Sequence, residues 1–176
     1  MANIVYIATS LDGFIAKKNG SIDWLNEIPN PDGSDYGFGD FMNNIDAIVM
    51  GRRTFELVLT FNEWPYKKPV FVLSRTLQKV NADLVGKAEI INGNPDSVVS
   101  LLNSRNYKNL YIDGGITIQR FLRNELIDEI IITRIPILLG SGIPLFQELA
   151  KEQKFEHTKT EVYNNAIVKS HYKKII

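Results

Sequence analysis

The chain has 176 residues, 44% of them hydrophobic, and its 20 basic residues balance 20 acidic ones. This length predicts one domain over residues 1–176, and the neutral balance argues against nucleic acid or an anionic membrane as a partner. Cysteine is absent, which excludes disulfides, thiolate nucleophiles and cysteine-ligated zinc. His157 and His171 form a poor metal pair and are expected to be exposed strand residues, so no metal site is predicted. The N-terminus does not resemble a signal peptide and no window suits a membrane span, so we expect a cytoplasmic protein.

The first predicted elements are a central strand and a long loop. Asn3–Ala8 is nearly all apolar, which is typical of a strand covered on both faces. The loop from Thr9 to Leu25 mixes glycines with large apolar side chains, among them Phe14, Ile15, Ile22 and Trp24. Such side chains either pack into the core or form a lid over a ligand, and the sequence leaves both interpretations open.

A helix is predicted next, with Ser34 as its N-cap. Its apolar face has helical spacing and consists of Phe38, Phe41, Met42 and Ile45. Asp35 would start this helix and project at the edge of the apolar face. Position alone favours a first-turn acid that interacts with the helix dipole, and the functional alternative is a carboxylate at the edge of a pocket.

Three later strands each end in a turn that carries small or basic residues. These strands are Asp46–Met50, Pro69–Leu73 and a third around Leu110–Ile112, which meets two adjacent glycines and then a helix with the apolar face Ile118, Phe121, Leu122 and Leu126. Glycine lets the backbone approach a ligand, and a helix N-terminus and guanidinium groups both bind phosphate. Ligands bind outside the carboxyl ends of strands in open α/β sheets, so the three turns predict an extended phosphate-bearing ligand such as a dinucleotide. The alternatives to a ligand site are a tight turn that binds no ligand and a solvated pair of arginines at the surface. The residues of the three turns are Gly51, Arg52, Arg53 and Thr54; Ser74 and Arg75; and Gly114, Gly115, Ile116 and Thr117.

The remaining patterns complete an α/β fold. A short strand is predicted at Glu89–Ile91, a helix from Asn94-Pro95 through Leu102, and a strand at Leu126–Ile137. The tail from Phe155 to Ile176 is predicted to form two strands around Asn164-Asn165. Strands that alternate with helices predict a three-layer α/β/α arrangement with a mainly parallel sheet and an antiparallel C-terminal edge hairpin.

Several motifs resemble the dihydrofolate reductase superfamily, and more closely the reductase domain of bacterial riboflavin biosynthesis. They are Ser10–Ala16 with Gly20–Trp24, Val49–Glu56, Val72–Arg75, Ile112–Gly115 and, most specific for the riboflavin type, Leu126–Phe146. Together they extend over nearly the whole chain. Neither G-x-G-x-x-G after a strand nor a P-loop is present, so the resemblance is to neither a standard Rossmann nor a P-loop protein.

The resemblance implies NADPH as cofactor and assigns residues to it. Arg52, Arg53 and Thr54 would hold phosphates, Leu73, Ser74 and Arg75 would meet the adenosine end with its 2′-phosphate, and Gly114, Gly115, Ile116 and Thr117 would wrap the pyrophosphate beside Gly51. The nicotinamide would be bordered by Ala8, Ile15, Ala16 and Gly20. On the substrate side the matching positions are Ser21, Trp24, Asp35 and Asp113, with Asp35 and Asp113 as the candidate catalytic carboxylates.

The implied reaction is hydride transfer from NADPH to a C=N bond of a pyrimidine- or pterin-type heterocycle. A carboxyl group in an apolar setting would have a raised pKa and could hold a proton near neutral pH. A dihydrofolate or pteridine reductase and a non-catalytic NADPH-binding protein remain alternatives. Relatives are commonly dimers, so a homodimer is expected.

The substrate side departs from the riboflavin pattern in its charge. Residues 25–50 contain five acids and neither lysine nor arginine; the acids are Glu27, Asp32, Asp35, Asp40 and Asp46. Such a wall would repel a phosphorylated sugar. We therefore predict a substrate without phosphate, or one whose phosphate is held by Lys17 and Lys18.

Overall fold

The computed structural model describes residues 1–175, and strands and helices alternate along most of the chain. The strands are β1 (Ala2–Ser10), β2 (Phe14–Ala16), β3 (Ala47–Gly51), β4 (Val70–Leu73), β5 (Ala88–Ile91), β6 (Asn109–Asp113), β7 (Glu129–Ile135), β8 (Ile143–Pro144), β9 (Phe155–Tyr163) and β10 (Ile167–Lys174). The helices are α1 (Phe38–Asn43), α2 (Arg52–Val58), α3 (Pro95–Ser104) and α4 (Gly115–Arg123), with 3₁₀ turns at Asp23–Glu27 and Ala82–Leu84.

Eight of the strands form one sheet in the order β5-β4-β3-β6-β1-β7-β10-β9. The first six are mutually parallel, and β10 and β9 are added as an antiparallel hairpin at one edge. The two remaining strands, β2 and β8, pair with each other next to the end of β1. This is the mainly parallel sheet with an antiparallel C-terminal hairpin that the sequence predicts.

Helices cover both faces of the sheet, because the side chains of each strand alternate between them. In β6, Leu110 and Ile112 pack with α3 and α4, whereas Tyr111 packs on the opposite face with α1 and α2. The predicted face of α4 is confirmed for Ile118, Phe121 and Leu122, which are buried. The fourth predicted residue, Leu126, lies beyond the helix, which ends at Arg123, and is partly buried against the same core. Truncating a buried aromatic such as Phe121 to alanine costs about 3–5 kcal/mol, so these faces hold α4 firmly against the sheet.

Helix α1 begins later than predicted. Ser34 is not its N-cap; Gly37 is, with a φ of 81°, and the helix starts at Phe38. Tyr36 also has a positive φ, of 54°, so the backbone cannot be helical through residues 36 and 37. Asp35 lies before the helix, where its carboxylate accepts the N–H groups of Gly37 at 2.8 Å and Gly39 at 2.9 Å.

Other predicted boundaries differ by a few residues. Helix α3 is capped as expected, because Asn94 accepts the N–H of Ser97 at 2.8 Å. Strand β7 is shorter than the predicted Leu126–Ile137, and Pro136, which has no N–H to donate, follows its last residue. Strand β1 extends beyond Ala8 to Ser10, pairing with β7 as far as Ile135.

The C-terminal hairpin turns at Asn164 and Asn165, both with a φ of 52°, as the sequence predicts. Its last predicted residue, Ile176, lies outside the described residues. His157 is exposed on β9 as expected, but His171 is half-buried on β10 with Nε2 3.3 Å from a carboxylate oxygen of Glu161. No helix within residues 1–175 is long and apolar enough to cross a membrane.

Candidate active site

The carboxyl ends of β3, β4 and β6 open onto two adjoining cavities. The first has a volume of about 640 Å³ and the second about 470 Å³. The two cavities share the lining residues Gly51, Arg53, Ile116 and Thr117, so they form one continuous groove, called here the long groove. All residues that the resemblance assigns to the cofactor line it: Ala8, Ile15, Ala16, Gly20, Gly51, Arg52, Arg53, Thr54, Leu73, Ser74, Arg75, Gly114, Gly115, Ile116 and Thr117.

The two adjacent glycines have different structural reasons to be glycine. Gly114 has a φ of 86°, and a Cβ on it would collide with the Thr54 hydroxyl. Gly115 is the first residue of α4 with an ordinary φ, and its Cβ would lie 2.5 Å from Cδ1 of Ile15. Gly114 therefore adopts a positive φ and Gly115 does not. Gly114 is thus favoured by its backbone conformation and by the contact with Thr54, whether or not a ligand binds, whereas a Cβ on Gly115 would displace only the end of the Ile15 side chain.

The N-terminus of α4 supplies unpaired donors to the long groove. The first helical hydrogen bond runs from the N–H of Ile118 to the carbonyl of Gly114, at 2.9 Å. The amides of Gly115, Ile116 and Thr117 precede it, and Gly114 provides no side-chain cap. Three such N–H groups and the helix dipole form a suitable environment for an anion.

The second part of the groove is cationic. Its charged lining residues are four arginines and one glutamate: Arg52, Arg53, Arg75, Arg120 and Glu56. Glu56 occupies only one of them, since Arg52 Nε lies 2.7 Å from Glu56 Oε1. Within residues 1–175, neither Arg53 nor Arg75 forms an ion pair. Arg120 was missed by sequence reasoning, although it follows Thr117 by three positions and so lies on the same side of α4; it donates to the carbonyl of Gly93 at 3.2 Å.

Asp113 ends β6 and lies in the first part of the groove. It is half-buried, and Oδ1 accepts the N–H of Gly114 at 2.7 Å. The same cavity is lined by the aromatic side chains of Tyr6, Tyr66 and Tyr111. Desolvation raises the pKa of Asp113 to about 6, the direction that the sequence predicted for a carboxyl group in an apolar setting. Desolvation also raises the pKa of Tyr66 well above its usual value, so its hydroxyl stays protonated near neutral pH.

Asp35 lies in a different environment from Asp113, and its carboxyl group does not have a raised pKa. It is exposed, and the hydrogen bonds from Gly39 and Gly37 lower the pKa of its carboxyl group below the usual value. Asp35 is therefore ionised near neutral pH, and the prediction that it holds a catalytic proton is wrong. It lines a third cavity, of about 510 Å³, which adjoins the long groove at Tyr6, Ala8 and Leu25. The structure thus places Asp113 and Asp35 in two neighbouring cavities.

The other two predicted substrate residues do not face these cavities. Trp24 is fully buried in a cluster with Ile135 and Ile167, so it pins the loop after β2 to the core and cannot contact a ligand. Ser21 lines neither the groove nor the third cavity, and its hydroxyl accepts the N–H of Asp23 at 3.3 Å. Residues on either side, Gly20 and Ile22, do line the groove. The loop after β2 is thus partly core and partly cavity wall.

The predicted acidic wall is reduced to one residue. Asp46 lies at the amino-terminal ends of the strands, away from the cavities. There it accepts the N–H groups of Lys108 and Asn109 at 2.8 Å at the start of β6. Of the residues that line the third cavity, only Asp35 carries a charge. Lys17 is paired with Asp23 at 2.8 Å and Lys18 lines the long groove instead. The third cavity therefore has no cation in its lining.

Comparison with known proteins identifies relatives over nearly the whole chain. A sequence model of the RibD C-terminal domain matches residues 3–169. The chain is 38% identical over 172 residues to the uncharacterized protein YwjB of Bacillus subtilis (strain 168), covering 96% of this chain and 95% of YwjB. It is 32% identical over 183 residues to YyaP of the same organism, covering 96% and 93% of the two chains.

Solved structures share the architecture. A Shewanella sp. PV-4 protein described as a candidate riboflavin biosynthesis protein has a TM-score of 0.96 at 48% identity over the full length of both chains. The deaminase/reductase of Thermotoga maritima has a TM-score of 0.75 at 17% identity, covering 99% of this chain and 56% of that one. Dihydrofolate reductase of Enterococcus faecalis, complexed with NADP(H), has a TM-score of 0.65 at 16% identity, covering 98% and 96%. At such identities the last two likenesses concern the fold alone.

Proposed function

The chain belongs to the RibD C-terminal domain family and has the dihydrofolate reductase-like fold, and we propose that it uses NADPH to reduce a C=N bond of a pyrimidine- or pterin-type heterocycle. The observation that carries this proposal is the junction at Ala8 between the long groove and the third cavity. A ligand in the groove and a ligand in the third cavity would approach each other there. Hydride transfer requires that kind of proximity between two bound molecules.

The long groove fits NADPH by the chemistry of its two ends. The cationic end, with Arg53 and Arg75 free of ion pairs among residues 1–175, suits a 2′-phosphate. The three amides at the start of α4 suit the pyrophosphate. The opposite end, lined by Ala8, Ile15 and Ala16, is apolar and suits the flat nicotinamide ring.

Bound NADPH would supply the hydride, and the chain's own residues would position the substrate and manage the proton. Asp35 is ionised, and each of its oxygens already accepts one backbone N–H, which leaves further lone pairs for N–H groups of a heterocycle. Asp113, with a pKa of about 6, exists in both protonation states near neutral pH and can deliver a proton toward a ring nitrogen. The two carboxyl groups thus have separate roles: Asp35 orients and Asp113 exchanges protons.

The substrate class follows from the lining of the third cavity. Its only charge is that of Asp35, and like charges about 4 Å apart cost on the order of 1–4 kcal/mol. A phosphorylated sugar would meet that charge without a cation in the cavity lining, whereas a neutral or cationic amino-heterocycle would donate to it. We therefore propose a substrate without phosphate, which also keeps a pteridine reductase as the second candidate activity.

A substrate panel tests this proposal. NADPH oxidation is measured with the phosphoribosylamino-pyrimidine of riboflavin synthesis, its dephosphorylated form and dihydropterins, using the parent and Asp35→Asn. We expect turnover of a phosphate-free compound and a rise in its KM of about tenfold in Asp35→Asn, the loss of one charge-assisted hydrogen bond. Efficient reduction of the phosphorylated compound alone, unchanged in Asp35→Asn, would contradict the assignment. NADPH binding without turnover of any compound would favour a non-catalytic NADPH-binding protein.

A further inference from the structure

The carbonyl oxygen of Tyr36 accepts hydrogen bonds from three side chains that are distant in sequence. Lys169 on β10 donates at 2.7 Å, Tyr6 on β1 at 3.1 Å and Tyr163 on β9 at 3.4 Å. Tyr36 follows Asp35 directly and has a positive φ, which a tyrosine rarely adopts without support. The segment that carries the Asp35 carboxylate is therefore held by the sheet from outside the segment itself.

Lys169 is the strongest of these contacts, because it is a buried charge. Its residue is only 4% exposed, and its ammonium also pairs with Glu161 Oε2 at 3.0 Å. A Cβ on Gly37 would lie 2.9 Å from this ammonium, so the backbone after Tyr36 passes directly over it. Burial alone would raise the pKa of Glu161, but the hydrogen bonds from Lys169 and Lys159 outweigh it and hold that pKa at about 2. The pair is thus ionised throughout the neutral range.

Stability alone is a poor explanation for such a pair, since apolar side chains of similar volume often replace a buried ion pair without loss of stability. An apolar side chain would not reproduce the hydrogen bond that the Lys169 ammonium donates to the Tyr36 carbonyl. We propose that Lys169 is a positioning residue for the substrate: it fixes the Tyr36 carbonyl and thereby the Asp35 carboxylate in the third cavity. The substrate part of this inference rests on the function proposed above.

The test replaces Lys169 with methionine, which keeps the length of the side chain and removes its donor. Lys159→Met is the matched control, because Lys159 pairs with the same Glu161 at 3.1 Å but its side chain is 59% exposed. Hydrogen exchange at the amides of Gly37 and Gly39, which donate to Asp35, reports the position of its carboxylate without any substrate. We expect this exchange to accelerate at least about tenfold in Lys169→Met and to stay within about twofold of the parent in Lys159→Met.

Kinetics provide the second readout. In Lys169→Met, KM for the heterocycle should rise by about tenfold while kcat changes by less than about threefold and the Kd for NADPH is unchanged. Equal exchange and equal KM in the two lysine variants would overturn the proposal, as would a joint loss of kcat, KM and NADPH binding, which indicates a general structural role. If the parent reduces no heterocycle, the proposed function fails, and the exchange rates still decide whether Lys169 positions Asp35.

If Lys169→Met does not fold, it is combined with Glu161→Gln, so that no buried charge is left without its partner. The double variant is compared with Glu161→Gln alone, which keeps the donor to Tyr36. Faster exchange at Gly37 and Gly39 in the double variant supports the proposal, and equal exchange in the two folded proteins would refute it.

Discussion

Removal of the Arg75 guanidinium should reduce the preference for NADPH over NADH. Arg75 lines the cationic end of the long groove, is exposed and forms no ion pair within residues 1–175. A hydrogen bond to a charged group contributes about 1.5–3 kcal/mol, and solvent screening at an exposed position favours the lower end of that range. Arg75→Ala should therefore weaken NADPH binding by about tenfold while NADH binding changes little.

The assay is a fluorescence titration of both cofactors at two salt concentrations. Arg105→Ala is the matched control, because Arg105 is an exposed arginine that pairs with Glu89 at 2.8 Å and lines neither part of the groove. The NADPH preference should narrow at high salt, since the contact is electrostatic and exposed. Equal affinities for NADPH and NADH in the parent, or an equal loss in Arg105→Ala, would refute the assignment of this end of the groove to the 2′-phosphate.

Two further substitutions test the groove. The pKa of Asp113 is raised from its usual 3.8 to about 6, so the folded protein binds this proton more tightly and stability should fall as pH rises through that window. In Asp113→Asn, the unfolding free energy measured by denaturant titration should no longer fall over this pH range, and activity should no longer decrease above about pH 6. If the activity of Asp113→Asn depended on pH as that of the parent does, the role of Asp113 would be contradicted. Gly114→Ala should lower the unfolding free energy by roughly 1–3 kcal/mol more than Gly140→Ala, because both have positive φ but only a Cβ on Gly114 meets Thr54. Equal losses in the two glycine variants would show that the contact with Thr54 is unimportant.

Much of the fold follows from the hydrophobic pattern of the sequence. The apolar runs at β3 and β6 are buried on both faces because helices cover both sides of the sheet, and the run at β1 is partly buried. The helical spacing of Ile118, Phe121 and Leu122 matches the buried face of α4. The turns after β3, β4 and β6 were predictable as one site for a topological reason. Parallel strands bring their carboxyl ends to the same edge, whatever the distance between them in sequence.

The errors concern residues whose setting is decided by distant parts of the chain. Trp24 follows a glycine-rich loop, but its burial depends on contacts with β7 and β10. Asp46 is close in sequence to the site but lies before the first residue of β3, at the amino-terminal ends of the strands. The length of β3 therefore separates it from the turns at the carboxyl ends. Asp35 failed as a proton donor because Tyr36 and Gly37 turn the backbone so that two amides reach its carboxylate. Lys169 gave no local signal, since its partner at Tyr36 is 133 residues away.

Single-turnover hydride transfer, compared between the parent and Ala8→Leu, tests the central claim most directly. Ala8 lines both the long groove and the third cavity, and a leucine there would fill the junction between them. Loss of the reduced-nicotinamide absorbance is followed after NADPH-loaded protein is mixed with a phosphate-free heterocycle, and the binding of each ligand is measured separately. We expect transfer in the parent and a decrease of at least about a hundredfold in Ala8→Leu, with each ligand alone still bound, because a small misplacement of the reacting atoms is costly. Equal rates in the two proteins would contradict the claim that the cofactor and the substrate meet at Ala8.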